Sequence, residues 1–258
     1  MTYVTLAHGS IHVREIGAGE PLLILHGGWG YEFYPFDHAI AELSASHRLV
    51  IPDRTGYGRS PRIAALPARF HEAAALESER VLDALHITRC AIWGHSDGAV
   101  IAAIMALRDP ERISGIVLEA LHLSREKPRS RAFFTMMAED PDGFGPRVTD
   151  KLAREHGDGW REVLRAGGRA WLAIAATPVD DFYDHRLGEL RVPTLVIHGV
   201  DDPRTEPGEL DRITREVPDA TIAWITGGQH SPHSERRTAA EVTRVVARFL
   251  ESLAWKQT

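Results

Sequence analysis

Three separated stretches of this 258-residue chain carry the residue types that nucleophilic catalysis requires. The first is Gly94-His95-Ser96-Asp97-Gly98, a G-x-S-x-G pattern. It stands between the apolar run Cys90-Ala91-Ile92-Trp93 and a stretch with the small residues Ala99, Ala102 and Ala103. A sharp strand-to-helix turn there would force Ser96 toward a strained backbone conformation and present its hydroxyl, with the glycines leaving room for strand and helix to approach. The second stretch is Gly199-Val200-Asp201-Asp202-Pro203, after Thr194-Leu195-Val196-Ile197-His198. The third is Gly227-Gly228-Gln229-His230-Ser231-Pro232-His233, after Thr221-Ile222-Ala223-Trp224-Ile225. A serine hydroxyl needs a base to take its proton, and that imidazole needs a carboxylate to hold its tautomer and stabilise its charged form. The chain order Ser, Asp, His is one in which such triads are built. Residue types alone leave the acid open between Asp201 and Asp202, with Glu119 as a third candidate, and the base open between His230 and His233.

A fourth stretch, His26-Gly27-Gly28-Trp29-Gly30, follows the apolar run Pro21–Leu25. A glycine turn at that point can aim backbone N–H groups at the edge where the serine sits. The N–H of Gly28 and the N–H of Asp97 are therefore the expected donors to a developing oxyanion. The His26 imidazole is expected to be satisfied internally. Asp53-Arg54-Thr55-Gly56-Tyr57-Gly58 reads as a compact turn in which Asp53 accepts local N–H bonds, a scaffold. His230 and His233 with Asp201 or Asp202 could be read as metal ligands. A zinc site would want a further His or Glu at ligand spacing, so no metal is expected.

The elements that must position these loops alternate in hydrophobic period. Strand-like runs cover Tyr3–Leu6, Ile11–Ile16, Pro21–Leu25, Arg48–Pro52, Cys90–Trp93, Ile113–Leu118, Val192–Ile197 and Thr221–Ile225. Helix-like stretches cover Phe36–Ser46, Phe70–Leu85, Ala99–Arg108, Glu209–Val217 and Thr238–Leu253. In the last, Val242, Val245, Val246, Phe249 and Leu253 make one apolar helix face. Runs apolar at every position fit strands covered on both sides, and the alternation implies βαβ units and a mainly parallel sheet. The alternation fails between residues 124 and 190. Helical pieces at Val148–His156 and Trp160–Ala175, with Phe133, Phe134, Phe144, Trp160, Trp171, Phe182 and Tyr183, read there as a helical lid. The expected organisation is a core of residues 1–123 and 191–258 with a lid of 124–190. Pockets are mostly apolar with a few placed polar groups, which makes Trp29, Phe134, Trp160 and Trp171 the candidate substrate contacts.

Composition narrows the class. The chain has 43% hydrophobic and 26% charged residues, an ordinary globular profile. A net charge of −6, with 30 basic and 36 acidic residues interleaved, argues against nucleic-acid binding. The longest apolar run, Ala99–Leu107, falls far short of the roughly 20 residues of a membrane span, and Met1–Ile11 has no signal-peptide pattern. The lone Cys90 can close no internal disulfide, which fits a reducing cytoplasm. The expected partner is a small-molecule substrate, and a homodimer is compatible with everything above.

With HGGWG, DRTGYGRS, GHSDGA, GVDDP and GGQHSPHSE in this order, the chain resembles the α/β-hydrolase superfamily over essentially its whole length, as a lidded member with a G-H-S-D-G nucleophile elbow. The resemblance implies an eight-stranded, mainly parallel sheet with helices on both faces. It implies Ser96 as nucleophile, His230 as base and Asp202 as acid, since the family's acid usually stands three residues after the glycine, here Gly199. Dehalogenases and epoxide hydrolases of similar fold attack with an aspartate at the elbow. A serine there implies acyl transfer to water without a cofactor, with a small carboxylic ester as the first expectation. Carbon–carbon cleavage of a β-diketone-like substrate is the alternative within the class, and a non-catalytic ligand receptor the alternative outside it. Asp97 is expected to be a helix-start carboxylate that favours the helix dipole. Its similarity to aminoacyl-ester hydrolases also allows it to meet a substrate amine.

Overall fold

The structure, a computed structural model, describes residues 2–7, 9–177 and 181–255. Residues 178–180 of the expected lid lie outside them. Eight strands form one sheet in the order β1-β2-β4-β3-β5-β6-β7-β8. They are β1 (Thr2–Leu6), β2 (Gly9–Ile16), β3 (Glu20–Leu25), β4 (His47–Pro52), β5 (Cys90–His95), β6 (Ile113–Glu119), β7 (Thr194–Gly199) and β8 (Thr221–Ile225). The pairs β1/β2 and β2/β4 are antiparallel and the remaining five are parallel.

The all-apolar strands have a simple cause. Successive side chains of a strand point to opposite faces. Leu23 and Leu25 of β3 and Ile92 of β5 accordingly join a core with α2 (Phe70–Ala84) and α3 (Asp97–Arg108) through Val81, Leu82, Ile101 and Met105. Leu22, Ile24 and Trp93 join the opposite core with α1 (Asp37–Leu43) and α8 (Ala239–Glu251), through Leu43, Val246 and Leu250. Between β7 and β8 runs α7 (Glu209–Glu216). None of the described helices is long and apolar enough to cross a membrane.

Several boundaries differ from the sequence reading. Helix α1 is shorter than Phe36–Ser46, because Phe36 is a fully buried anchor whose carbonyl accepts the first helical N–H, from Ile40. Strand β7 starts at Thr194 and not at Val192, since Pro193 has no N–H to give the ladder. Most consequential, β5 runs on to His95 and α3 starts at Asp97, so Ser96 alone makes the turn.

Between β6 and β7 lie α4 (Arg131–Glu139), α5 (Pro146–His156) and α6 (Trp160–Ala175). The sequence reading has no counterpart of α4. Most of its nine residues are good helix formers, but a helix this short is marginal alone and depends on packing against α6. There Gly168 lets the two backbones meet: a Cβ on it would lie 2.6 Å from Ala138 N and 2.7 Å from Phe134 O.

Candidate active site

Ser96 has φ 54° and ψ −117°, a conformation that costs an L-residue energy and that the surroundings must enforce. Two close approaches do so. A Cβ on Gly94 would stand 2.1 Å from Gly98 O, and one on Gly98 would stand 2.0 Å from Leu25 O. Neither site admits a side chain without moving backbone. The Ser96 N–H donates to the Glu119 carbonyl at 2.9 Å, which ties the turn to the end of β6.

The loops after β7 and β8 bring Asp202 and His230 to the hydroxyl. His230 Nδ1 donates to Asp202 Oδ2 at 2.8 Å, which leaves Nε2 as the acceptor for the Ser96 hydroxyl 3.0 Å away. All three side chains are buried. Burial pushes the Asp202 carboxyl up, but His230 and the N–H of Arg204 outweigh it and bring it down to about 2. Burial, then the positive charge of Arg204, hold His230 below its usual 6.5 against the pull of Asp202. Behind the imidazole of His230, His95 Nε2 donates to the His230 carbonyl at 3.0 Å and ties its loop to the end of β5. Asp201, by contrast, is exposed.

The N–H groups of Gly28 and Asp97 find no protein acceptor among the described residues and border the same cavity as Ser96. The Asp97 carboxylate is engaged. It accepts from His71 Nε2 at 3.2 Å and lies 3.7 Å from an Arg54 guanidinium nitrogen. Burial opposes its ionisation, yet His71 and Arg54 keep it below the ordinary carboxylate value. A substrate amine would therefore compete with Arg54 for a carboxylate already in use. A Cβ on Gly28 would come within 2.8 Å of Asp97 Oδ2, so this turn and this carboxylate are fitted to each other.

The cavity over Ser96 is narrow, about 30 Å³ in volume, and aromatic. Trp29, Phe134 and Trp171 line it as the sequence suggested, together with Tyr34, Phe133 and Met137. Trp171 stacks on Phe134 with ring planes 5° apart. Trp160 is the exception. It is buried in the core cluster and does not reach the cavity, since it stands eleven residues before Trp171, about 16 Å along α6. Among the wall residues that the sequence reading missed are His122 and Arg204. His122, three residues beyond β6, places Nε2 3.3 Å from Ser96 Oγ. With the hydroxyl proton directed at His230, His122 must be the donor in that contact. Arg204 enters from the loop that carries Asp202. Both follow strands at the sheet's carboxyl edge, which was the only signal that could have flagged them.

The remaining candidates are occupied elsewhere. His233 Nδ1 donates to Glu119 Oε1 at 2.6 Å and its Nε2 sits 3.0 Å from the Tyr34 carbonyl oxygen, while Trp93 Nε1 donates to Glu119 Oε2 at 2.9 Å. Glu119 thus braces His233, and among the described residues it makes no hydrogen bond to the His230 side chain. His95, Glu119 and His233 hold ligand-type atoms within 4.8 Å of one another, but the hydrogen bonds just given already engage both ring nitrogens of His233. His26 Nδ1 donates to Gly27 O at 2.7 Å and Nε2 accepts from the Arg54 N–H at 3.2 Å. Asp53 accepts from the Arg59 N–H at 2.9 Å and pairs with Arg14 and His12.

A doubly covered, mainly parallel sheet that gathers serine, histidine and carboxylate beyond the ends of β5, β8 and β7 has the layout of a hydrolase. The chain belongs to the Alpha/beta hydrolase family, whose match spans residues 22–244. It is 28% identical over 247 residues to RutD of Variovorax paradoxus (strain S110), covering 86% of this chain and 88% of that one. It is 25% identical over 248 residues to serine hydrolase BPHL of Mus musculus, covering 93% and 83%. Among solved structures it resembles a thermophilic esterase from Thermogutta terrifontis, with a TM-score of 0.76 at 22% identity over 97% of both chains. That last likeness is one of fold.

Proposed function

We propose that the protein is a cofactor-independent serine hydrolase that cleaves a small carboxylic ester through an acyl-enzyme. The observation that carries this reading is the hydrogen-bonded chain from Ser96 through His230 to Asp202 at the floor of an aromatic cavity. Ser96 Oγ attacks the carbonyl carbon while its proton passes to His230 Nε2, and Asp202 stabilises the resulting imidazolium. The N–H groups of Gly28 and Asp97 receive the oxyanion, donors already in place before charge develops. As the tetrahedral centre collapses, the carbon–oxygen bond to the leaving alcohol breaks and His230 returns the proton to it. Water then repeats the sequence on the acyl-Ser96 ester and releases the acid. Helices α4 to α6 act as the lid in this reading: Phe133, Phe134, Met137 and Trp171 from them close the cavity and limit the acyl group to a short one.

The test is a turnover panel of short p-nitrophenyl esters, aminoacyl esters and lactones, run beside labelling with a fluorophosphonate. Stoichiometric labelling together with multiple turnover on short esters is expected. Labelling without turnover would favour a receptor. A second reading, carbon–carbon hydrolysis, would use the same three side chains. What brings it in is 27% identity over 239 residues to a 2-hydroxy-6-oxononadienedioate/2-hydroxy-6-oxononatrienedioate hydrolase of Paraburkholderia phymatum. A vinylogous 1,5-diketone in the same panel decides between the two.

The pH profile follows from the base. His230 must be neutral to accept the serine proton, and burial with Arg204 lowers its pKa from 6.5. Asp202, at about 2, stays ionised throughout. The acid limb of kcat/KM is therefore expected to have its midpoint below 6.5, with activity flat from neutrality down to that limb. A midpoint above 6.5 would contradict the assignment.

A further inference from the structure

Two residues of charged type line the cavity among those described, Asp97 and Arg204. Their situations differ. The Asp97 carboxylate is met by His71 and faced by Arg54, as described above, so that charge is balanced within the protein. Arg204 has no such balance. Its backbone N–H donates to Asp202 Oδ1 at 2.9 Å, which fixes where the residue starts. Its guanidinium carbon lies 4.0 Å from the centroid of the Phe133 ring, over the face of that ring. No carboxylate pairs with this guanidinium among the described residues, whereas Arg14, Arg48, Arg108, Arg112, Arg161 and Arg212 each have one. A guanidinium stacked on a ring still presents its N–H donors in its own plane, the geometry that takes a carboxylate in two parallel bonds.

We infer that the substrate carries a second, anionic group, a carboxylate beyond the scissile carbonyl, and that Arg204 binds it. The inference rests on the hydrolase reading and deepens it. Chemistry gives the same direction as geometry. During acyl transfer His230 becomes positively charged, and an uncompensated cation on the same wall opposes that change. A bound carboxylate neutralises Arg204 and removes the opposition, so an acidic substrate gains in kcat as well as in KM. A neutral substrate of the same length gains neither. An amino ester adds a second positive charge to the wall.

The rival role for Arg204 is a strap that holds α4 against the loop of Asp202 through Phe133. The experiment compares monomethyl succinate with methyl pentanoate, a neutral ester of similar length, by methanol release at pH 8. It uses wild type, Arg204→Gln and Arg204→Lys. The quantity read is the ratio of the two kcat/KM values within each protein, which cancels general damage. A charge-assisted contact predicts a ratio of about 10 to 100 in wild type. The ratio should fall toward one in Arg204→Gln and be kept only in part in Arg204→Lys, which retains the charge but not the paired donors. A strap would lower both esters together and leave the ratio unchanged, and that result overturns the inference. Binding is read separately by titrating Ser96→Ala with monomethyl succinate and following the fluorescence of Trp29 and Trp171. Adding Arg204→Gln should weaken that binding at least tenfold. If wild type turns over neither ester, the ester reading fails while the binding arm still decides the role of Arg204. Equal binding with and without Arg204→Gln refutes the anionic-substrate inference on its own.

Discussion

Ser96→Ala is expected to abolish turnover while the protein stays folded. The hydroxyl stands 3.0 Å from the basic nitrogen of His230, and alanine puts no oxygen there to form the acyl-enzyme. A serine that acts with its histidine as a unit is worth on the order of 10⁶ in kcat when removed. The fold should survive because alanine meets the same cost at φ 54° that serine already meets, and because the hydroxyl borders the cavity and not the packed core. The measurements are kcat/KM on a short ester, fluorophosphonate labelling, and a thermal melt of both proteins. A folded Ser96→Ala protein with activity near wild type would sink the mechanism.

Asp202→Asn should cost about 10⁴ in kcat, the loss that follows when the imidazole is held in the wrong tautomer. Asp201→Asn should change kcat by no more than a few fold. The contrast is sharp because the two residues are neighbours with the same chemistry. The Asp202 carboxylate is buried with Oδ2 on His230 Nδ1 and Oδ1 on the Arg204 N–H. Asp201 is exposed, and its main-chain N–H holds the loop to the Gly228 carbonyl at 3.0 Å. Because an asparagine keeps the shape of the aspartate, a deep defect at Asp202 with an unchanged melt reads as lost orientation of His230. A crippled Asp201→Asn beside a normal Asp202→Asn would reassign the acid.

The sequence by itself determined what is local. Runs such as Leu22–Leu25 and Leu195–Ile197 are apolar at every position, the pattern of a strand covered on both faces. The turn at residues 94–98 needs glycine wherever backbone meets backbone, so the strand-turn-helix context of Ser96 is written in five consecutive residues. The helical pieces at residues 148–156 and 160–175 show their own period. Tertiary structure decided the choices among equivalent side chains. Asp201 against Asp202 and His230 against His233 turn on how two loops after neighbouring strands fold against each other, which composition does not encode. Trp160 and Trp171 share a helix, and only the placement of α6 over the sheet puts one at the cavity and the other in the core. Helix α4 is only nine residues long, marginal by itself, and it packs against α6 where Gly168 lets the backbones approach. Asp97 found its partners in His71 and Arg54, from α2 and the loop after β4. His122 and Arg204 reach the cavity over Ser96 from loops 26 and 108 residues further along the chain. Such long-range convergence leaves no period or spacing to read, because which side chains share a cavity is settled by packing across the whole sheet.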